Sequence, residues 1–484
     1  MQFAEARALL DQYGQEHLLE FYPSLEPSRQ RALRRRIEAI DFHLMTRLID
    51  QWVLHEPAPE KFSRIEPIPL IPKAAANPRA AEAVAAGEDA LRRGRVGLFL
   101  VAGGQGTRLG FPGPKGAYPI GPVSSKSLFE FHAEKIHNLR ARYGCPLPWY
   151  IMTSESNHDE TREFFTQNSH FGLDPANIMF FNQRMVPCVD MQGKFMLDAT
   201  DSLACNPNGH GGCIPALVEN GALDDARNRG IDMFSYFQVD NWAVQVADPY
   251  FIGLHVLHAA EMSSKNHRKD HPRESVGVHC LCDGVYHVIE YTELDIYPQL
   301  LETTPDGKPI HSAGNSAIHI LSADFIQRVY NDYEHFPWHR AHKKIPCLDH
   351  NGNLVEPDAP NGYKFETFVF DALRFIRHKP VAVEIDRPGE YTPIKEYDGD
   401  NSVLAAWQCM NEYWADWLEA AGCNVARDAN GKVAIKLEIS PQFALTKDEF
   451  LQRAHARDAG KSWPTQHDLA IGPNGEIILG CGEH

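Results

Sequence analysis

A glycine-rich stretch that begins at Phe99 combines a permissive backbone with positive charge. Its sequence is FLVAGGQGTRLGFPGPKGAYPIG, with four glycines within eight residues and two cations, Arg108 and Lys115. Glycine lets backbone N–H groups approach an anion closely because no Cβ blocks the way. A guanidinium and an ammonium add the positive charge that phosphate oxygens attract. The stretch therefore predicts a loop that binds phosphate groups.

Two common phosphate loops have a different spacing. A dinucleotide-binding loop has the pattern G-x-G-x-x-G, whereas here one extra residue separates Gly106 from Gly110. An ATP-hydrolysing P-loop requires Gly-Lys-Ser/Thr, but Pro114 stands before Lys115. A glycine-rich turn without a ligand would leave the two cations unexplained. All three interpretations are therefore disfavoured.

The elements around the loop form a β-loop-helix-β pattern. VGLFLV (96–101) is apolar without polar alternation, which is typical of a strand buried on both faces. Residues 127–142 have an amphipathic helical pattern, and PWYIMTS (148–154) is a second apolar strand. MFSYFQVDN (233–241) predicts a third buried strand that ends in an acid, Asp240. The pattern indicates an α/β fold, and open α/β sheets bind ligands where their strands end.

Three segments of the chain differ in pattern. Residues 1–80 predict a helical N-terminal domain, because apolar residues recur at helical spacing. Residues 81–390 predict the α/β domain that carries the loop. Within it, two antiparallel strands are expected to form a β-hairpin around Asp283-Gly284. Residues 391–484 predict a small C-terminal domain with β content, since a helix precedes strands around two Asn-Gly turns.

The bulk composition limits the function classes. The 484 residues have a net charge of -17, which disfavours nucleic-acid binding because that requires a basic face. The acidic N-terminus and the lack of a long apolar run argue against a secretory signal or a membrane span. Ten cysteines without a C-x-x-C pair are expected to be free thiols of a cytoplasmic protein. His267 and His271 are expected on a solvated loop, because Pro272 follows directly.

The loop and eight further segments resemble one family. The pattern G-G-x-G-T-R-L-G-x-x-x-P-K is similar to the signature of the eukaryotic-type UTP:sugar-1-phosphate uridylyltransferases, and most similar to that of the UDP-N-acetylglucosamine pyrophosphorylases. The other segments that resemble the family, over roughly residues 20 to 440, are FFNQRMVPC (180–188), PNGHGG (207–212), FQVDN with VADPYFIG (237–253), GVYHVIEYTEL (284–294), SAGNSAIHIL (312–321), KKIP (343–346), PNGYKFETFVFD (360–371) and EYTPIKE (390–396). The resemblance implies a Rossmann-like nucleotidyltransferase core, with a mixed, mostly parallel sheet flanked by helices.

The resemblance also implies a reaction and its phosphate-binding residues. UTP and a sugar 1-phosphate would give UDP-sugar and pyrophosphate by in-line attack on the α-phosphorus. Arg108 would bind the leaving β- and γ-phosphates, Lys115 the α-phosphate, and Lys395 the phosphates from the other side. Asp240 would hold Mg²⁺ together with phosphate oxygens. The loop residues expected to bind the nucleotide are Gly103, Gly104, Gln105, Gly106 and Thr107.

Two further groups of binding residues follow from the resemblance. The remaining nucleotide-binding residues are Gln183, at the uracil-reading position, and the second glycine loop with Gly209, His210 and Gly211. The sugar-binding residues are Glu290 and Asn315, with Phe368 and Phe370 as the aromatic wall of the N-acyl region. For one of the two phenylalanines, the alternative interpretation as an ordinary core residue stays open.

Two departures from the family pattern leave the sugar open. His210 stands where the family usually has Asn, and Trp242 where it has an aliphatic residue. N-acetylglucosamine 1-phosphate is the expected substrate, while the N-acetylgalactosamine, glucose and galactose 1-phosphates stay open. The alternatives are a UTP–glucose-1-phosphate uridylyltransferase, a broader UDP-sugar pyrophosphorylase, or a nucleotide-sugar sensor without catalysis. No nucleic acid or membrane partner is expected, and the protein is expected to be a monomer or homodimer.

Overall fold

The computed structural model describes residues 1–55, 58–399, 401–456, 464–465 and 467–479. Contacts divide the chain into two compact units. The smaller unit consists of Met1–Phe62, Gln183–Cys213 and Asp332–Ala372, and the larger unit of Ser63–Asn182, Ile214–Asn331 and Leu373–His484. These boundaries differ from the three consecutive segments that the sequence predicts.

Helices and strands alternate along much of the chain. The α-helices are α1 (Phe3–Gln12), α2 (Pro27–Glu38), α3 (Phe42–Ile49), α4 (Ala80–Arg92), α5 (Leu128–Tyr143), α6 (His158–Gln167), α7 (Cys213–Glu219), α8 (Ala222–Asn228), α9 (Pro249–Leu257), α10 (Ala323–Asn331), α11 (Arg387–Glu390), α12 (Val403–Ala420) and α13 (Lys447–Ala456). The strands are β1 (Ile65–Pro67), β2 (Val96–Val101), β3 (Trp149–Thr153), β4 (Ile178–Asn182), β5 (Met185–Pro187), β6 (Val189–Asp190), β7 (Leu197–Ala199), β8 (Ser202–Leu203), β9 (Cys205–Pro207), β10 (Met233–Gln238), β11 (Met262–Arg268), β12 (Val278–Cys282), β13 (Val285–Ile289), β14 (Ala313–Ser322), β15 (His339–Lys343), β16 (Cys347–Leu348), β17 (Leu354–Val355), β18 (Gly362–Glu366), β19 (Val381–Ile385), β20 (Leu437–Ile439), β21 (Leu469–Ile471) and β22 (Ile477–Leu479).

A mixed sheet forms the centre of the larger unit. Its strand order is β1-β12-β14-β10-β2-β3-β4, with β11 paired to β14 and β19, and β13 paired to β12. The neighbours β10, β2, β3 and β4 run parallel, whereas β14 is antiparallel to β10. All five residues of β3 and the first five of β2 are buried, as a central parallel strand requires. The predicted α/β fold with a mixed, mostly parallel sheet is confirmed.

The C-terminal segment shares the core of the larger unit. The Trp414 ring on α12 stacks on Phe131 of α5, with centroids 6.4 Å apart. The Ser440 hydroxyl donates to Glu134 Oε2 over 2.7 Å. The predicted β content is present as the small sheet β20-β21-β22. Residues after 390 therefore pack against the same helix that follows the glycine loop.

The smaller unit is assembled from distant parts of the chain. Helices α1, α2 and α3 bury their apolar faces against strands from the two inserted segments. The shared core consists of side chains that include Leu10, Leu33, Ile37, Phe42, Leu48, Val189, Phe195, Trp338 and Phe365. The N-terminal helices thus find their partners between residues 183 and 372, which no local pattern in the first 80 residues indicates.

Among the described residues, no helix is both long and apolar enough to cross a membrane. The cytoplasmic location and the monomeric or homodimeric state stay predictions.

Trp414 tests whether α12 belongs to the core of the larger unit. The side chain is 3% exposed, and Trp414→Ala should lower the free energy of unfolding by about 3–5 kcal/mol through loss of packing. Leu404→Ala on the same helix, at a position that is 65% exposed, should change it by less than about 0.5 kcal/mol. Chemical denaturation measures both, and equal effects would contradict this placement of the helix.

His255 makes the stability of the larger unit depend on pH. Its ring nitrogens contact Ser263 Oγ at 2.7 Å and Ser322 Oγ at 3.0 Å. Burial, with a smaller effect of Arg95, lowers the pKa of this imidazole to about 3. In the unfolded chain a histidine takes up its proton near pH 6.5. The neutral ring therefore stabilises the fold above that pH, and this stability is lost as the pH falls toward 3.

We expect His255→Gln to flatten this pH dependence. Between pH 7 and pH 5 the unmodified chain should lose about 2 kcal/mol more unfolding free energy than the variant. His258→Gln, at an exposed position one residue beyond the end of α9, should behave like the unmodified chain. Denaturant titrations at the two pH values measure the difference, and parallel losses in all three chains would refute the assignment.

Candidate active site

The glycine loop folds back on itself after β2. Gly106 N–H donates to the Gly113 carbonyl over 2.8 Å, and Lys115 N–H donates to the Gly104 carbonyl over 3.0 Å. Two side chains beyond β3 hold the start of the loop: Ser154 Oγ donates to the Gly103 carbonyl, and Asn157 Nδ2 to the carbonyls of Ala102 and Gly104. These bonds place Lys115 beside the first glycines, although eleven residues separate it from Gly104 along the chain.

An ion pair joins this loop to the end of β10. Lys115 Nζ lies 3.3 Å from Asp240 Oδ2, and the two side chains are only 16% and 12% exposed. Strands β2 and β10 are parallel neighbours, with Val101 opposite Gln238. Their following loops therefore meet at one edge of the sheet. Lys115 and Asp240 are brought together, as the predicted phosphate and metal site requires.

Lys395 reaches the same edge on a separate segment. Ile394 N–H donates to the Asp240 carbonyl over 3.0 Å. The pKa of Lys395 is raised, chiefly by the Tyr391 hydroxyl, against an opposing effect of burial and with further help from Asp240. The ammonium group is therefore held in its charged form. Arg108 lies on the same loop as Lys115, in the turn Thr107–Leu109, and its side chain is exposed.

Glu290 and Asn315 both lie against Gly277, a residue that was not predicted to belong to the site. Asn315 N–H donates to the Gly277 carbonyl over 2.8 Å. A Cβ added at Gly277 would lie only 2.7 Å from Glu290 Oε1, so this position has to be glycine for the carboxylate to approach the backbone. A glycine between the valines of SVGVHC, within a strand-like run, was the available signal.

His267 contradicts the expectation of a solvated loop. It belongs to β11, is fully buried, and stacks on the Tyr391 ring with centroids 4.8 Å apart. Its ring nitrogens contact Ser316 Oγ at 3.0 Å and Glu274 Oε1 at 3.3 Å, and burial lowers its pKa. The strand continues to Arg268 and includes His267, so of the two histidines only His271 is exposed.

The smaller unit contains two buried amide oxygens that accept no hydrogen bond from the described residues. They are Gln183 Oε1 and Asn208 Oδ1, on side chains that are 7% and 2% exposed. An unpaired buried acceptor is costly, so a donor from water or from a bound molecule would stabilise each of them. Gln183 was predicted to contact the base. Asn208 lies directly before the predicted glycine loop and was missed.

The second glycine loop packs against the segment that carries the two phenylalanines. Gly211 N–H donates to the Thr367 carbonyl over 2.8 Å. Gly209 has a φ of +80°, and a Cβ there would lie 2.4 Å from the same carbonyl oxygen. Glycine is therefore needed at residue 209 both for its left-handed backbone and for the close approach.

His210 belongs to an aromatic stack. Its ring lies 5.2 Å from that of Phe368, and the His339 ring lies 4.3 Å from Phe368. The backbone N–H of Val369 donates to His210 Nδ1 over 3.1 Å. Phe370 is 4% exposed and belongs to the core, whereas Phe368 is half-buried within the stack. The histidine that replaces the usual asparagine thus fixes the ring of Phe368.

Comparison with known proteins agrees with this geometry. The profile of the family described as UTP--glucose-1-phosphate uridylyltransferase matches residues 60–454. The human UDP-N-acetylhexosamine pyrophosphorylase-like protein 1 is 36% identical, covering 88% of this chain and 87% of its own. The UDP-N-acetylglucosamine pyrophosphorylase of Saccharomyces cerevisiae is 37% identical, covering 72% and 75%.

Solved structures show the same similarity. The Trypanosoma brucei uridine diphosphate N-acetylglucosamine pyrophosphorylase, solved with an inhibitor, superposes with a TM-score of 0.78 at 26% identity, covering 94% of this chain and 96% of its own. A UDP-glucose pyrophosphorylase from Leishmania major shares the fold, with a TM-score of 0.60 at 14% identity, covering 86% and 85%. The chain therefore belongs to the UTP–glucose-1-phosphate uridylyltransferase family.

Proposed function

We propose that this protein transfers the uridylyl group of UTP to a sugar 1-phosphate. A phosphate oxygen of the sugar attacks the α-phosphorus of UTP, the bond to the bridging oxygen breaks, and pyrophosphate leaves. Both reactants are anions, so the site has to neutralise charge and align them. The convergence of Lys115 and Lys395 on the Asp240 edge of the sheet is the observation that supports this function most directly.

Each cation has its own part in this reaction. Lys115 binds the α-phosphate as charge shifts in the transition state, and Lys395 approaches the phosphates from its separate segment. Arg108 offers a planar fork to the leaving β- and γ-phosphates, and its exposed side chain is free to turn toward them. Because Lys115 is paired with Asp240 in the free chain, substrate binding exchanges one anionic partner for another.

Mg²⁺ is the cofactor expected at Asp240. The described residues contain no group of three or more His, Cys, Asp or Glu side chains arranged for a metal. A single carboxylate still fits, because Mg²⁺ commonly binds one or two carboxylates, phosphate oxygens and water. When bound, the ion neutralises phosphate charge. Asp240 is the residue of this chain that would hold it.

The base and the sugar are assigned to separate residues. The unpaired Oε1 of Gln183 suits the ring N–H of uracil, and the amide nitrogen suits a ring carbonyl. Glu290 and Asn315 supply acceptors and donors for the sugar. The sugar we propose is N-acetylglucosamine 1-phosphate, since several relatives are named for that product.

Lys115→Ala tests the transfer step. With UTP, Mg²⁺ and N-acetylglucosamine 1-phosphate, the unmodified chain should release pyrophosphate only when all three are present. The variant should lose about 10²–10³-fold in kcat/KM, because a charge that binds the transition state is removed. Lys308→Ala, at a lysine that is 80% exposed, is the matched control and should retain full activity.

A panel with the N-acetylgalactosamine, glucose and galactose 1-phosphates identifies the sugar. Turnover with none of the four would refute the proposed function. Binding of UDP-sugar without turnover would identify a sensor instead.

Gly277→Ala tests the sugar assignment. The added methyl group would displace the Glu290 carboxylate, so the KM for the sugar 1-phosphate should rise about tenfold, as loss of one hydrogen bond predicts. The affinity for UTP, measured by calorimetry on the same variant, serves as the internal control and should not change. An equal loss of UTP affinity would contradict the separation of the two subsites.

A further inference from the structure

Asn241 connects two segments that carry reactive groups. Its side chain is 3% exposed. Its amide Nδ2 donates to the Glu390 carbonyl over 2.7 Å, and its Oδ1 accepts from Thr392 N–H over 3.0 Å. The first backbone group belongs to the last residue of α11 and the second lies two residues later, in the segment that leads to Lys395. A single amide side chain thus bonds both groups.

This connection lies directly before Lys395. Asn241 and Pro393 form an antiparallel bridge, and Ile394 N–H donates to the Asp240 carbonyl. Three hydrogen bonds therefore join residues 390–394 to residues 240–241. Asp240 and the lysine that follows this segment are fixed relative to each other by these bonds.

Each of the two segments is also anchored away from the other. On one side, His132 Nε2–H donates to the Val239 carbonyl over 3.3 Å, and Lys135 Nζ donates to the carbonyls of Trp242 and Val244. On the other side, the Glu390 carboxylate pairs with the buried ammonium of Lys265. The segments are thus held individually, and Asn241 couples them.

We propose that Asn241 is a positioning residue that holds Lys395 opposite Lys115. This inference rests on the proposed uridylyl transfer, in which both ammonium groups face one α-phosphate. A side-chain amide has the donor and the acceptor that this position uses on two separate atoms. Aspartate would keep the acceptor for Thr392 N–H but would turn a carboxylate oxygen toward the Glu390 carbonyl.

The inference is tested by whether Asn241 acts through Lys395. Asn241→Ala should lower kcat about 30- to 100-fold in the unmodified chain, since displacement of a reacting group by about 1 Å can cost that much. In the Lys395→Ala background the same substitution should lower kcat by less than about threefold, because the ammonium group that Asn241 positions is gone. The KM for UTP should stay within about threefold in the unmodified background.

Asn138→Ala is the matched control. Asn138 is likewise 3% exposed and donates to the backbone carbonyls of Pro441 and Gln442. Asn138→Ala should lower the melting temperature about as much as Asn241→Ala does. It should leave kcat within about threefold, because Asn138 contacts no segment of the site. A kcat loss equal to that of Asn241→Ala would overturn the proposal.

Asn241→Asp covers the case in which the alanine variant does not fold. Its similar shape should preserve the far-UV circular dichroism spectrum while kcat falls, again only when Lys395 is present. Equal losses in both backgrounds, or unfolding of both Asn241 variants, would overturn the proposal. Failure of the proposed function is distinguishable, since the unmodified chain would then release no pyrophosphate with any sugar 1-phosphate.

Discussion

The ion pair between Lys115 and Asp240 joins the glycine loop to the end of β10, and the candidate site depends on this contact. Two groups of opposite charge meet with little exposure to water, and they can do so only because β2 and β10 are parallel neighbours. The glycine loop has to fold back to bring Lys115 there, and the carboxylate has to follow its strand closely. The fold thus holds the ammonium group and the carboxylate at one edge of the sheet before any substrate arrives.

Much of this arrangement could be predicted because its signals are local. The apolar run of β2, the glycines after it and the acid after β10 are each visible within ten residues, and the α/β fold and the family were both confirmed. Lys395 was placed only by resemblance. The segment that precedes it is bonded to Asn241, about 150 residues away in the sequence, and no local pattern encodes such a contact.

The remaining differences have the same origin. Gly277 and Asn208 matter because of what lies against them in space, and the sequence shows only a glycine within a strand-like run and an asparagine before a glycine loop. His267 was expected in solvent because a proline follows soon after, yet β11 extends far enough to bury it. His210 is visible in the sequence as an unusual residue, but its stacking on Phe368 depends on a segment more than 150 residues later. Patterns identify the reactive groups better than they identify what holds them.

The discontinuous smaller unit has a consequence for synthesis of the chain. Helices α1, α2 and α3 leave the ribosome first, but the core that they share with Trp338 and Phe365 lacks these partners until about 300 residues later. At about 5–20 residues per second this interval lasts roughly 15–60 s. During that time the apolar faces of three helices are exposed to water. The nascent chain thus carries apolar side chains without their full set of core partners long before its last strand is made.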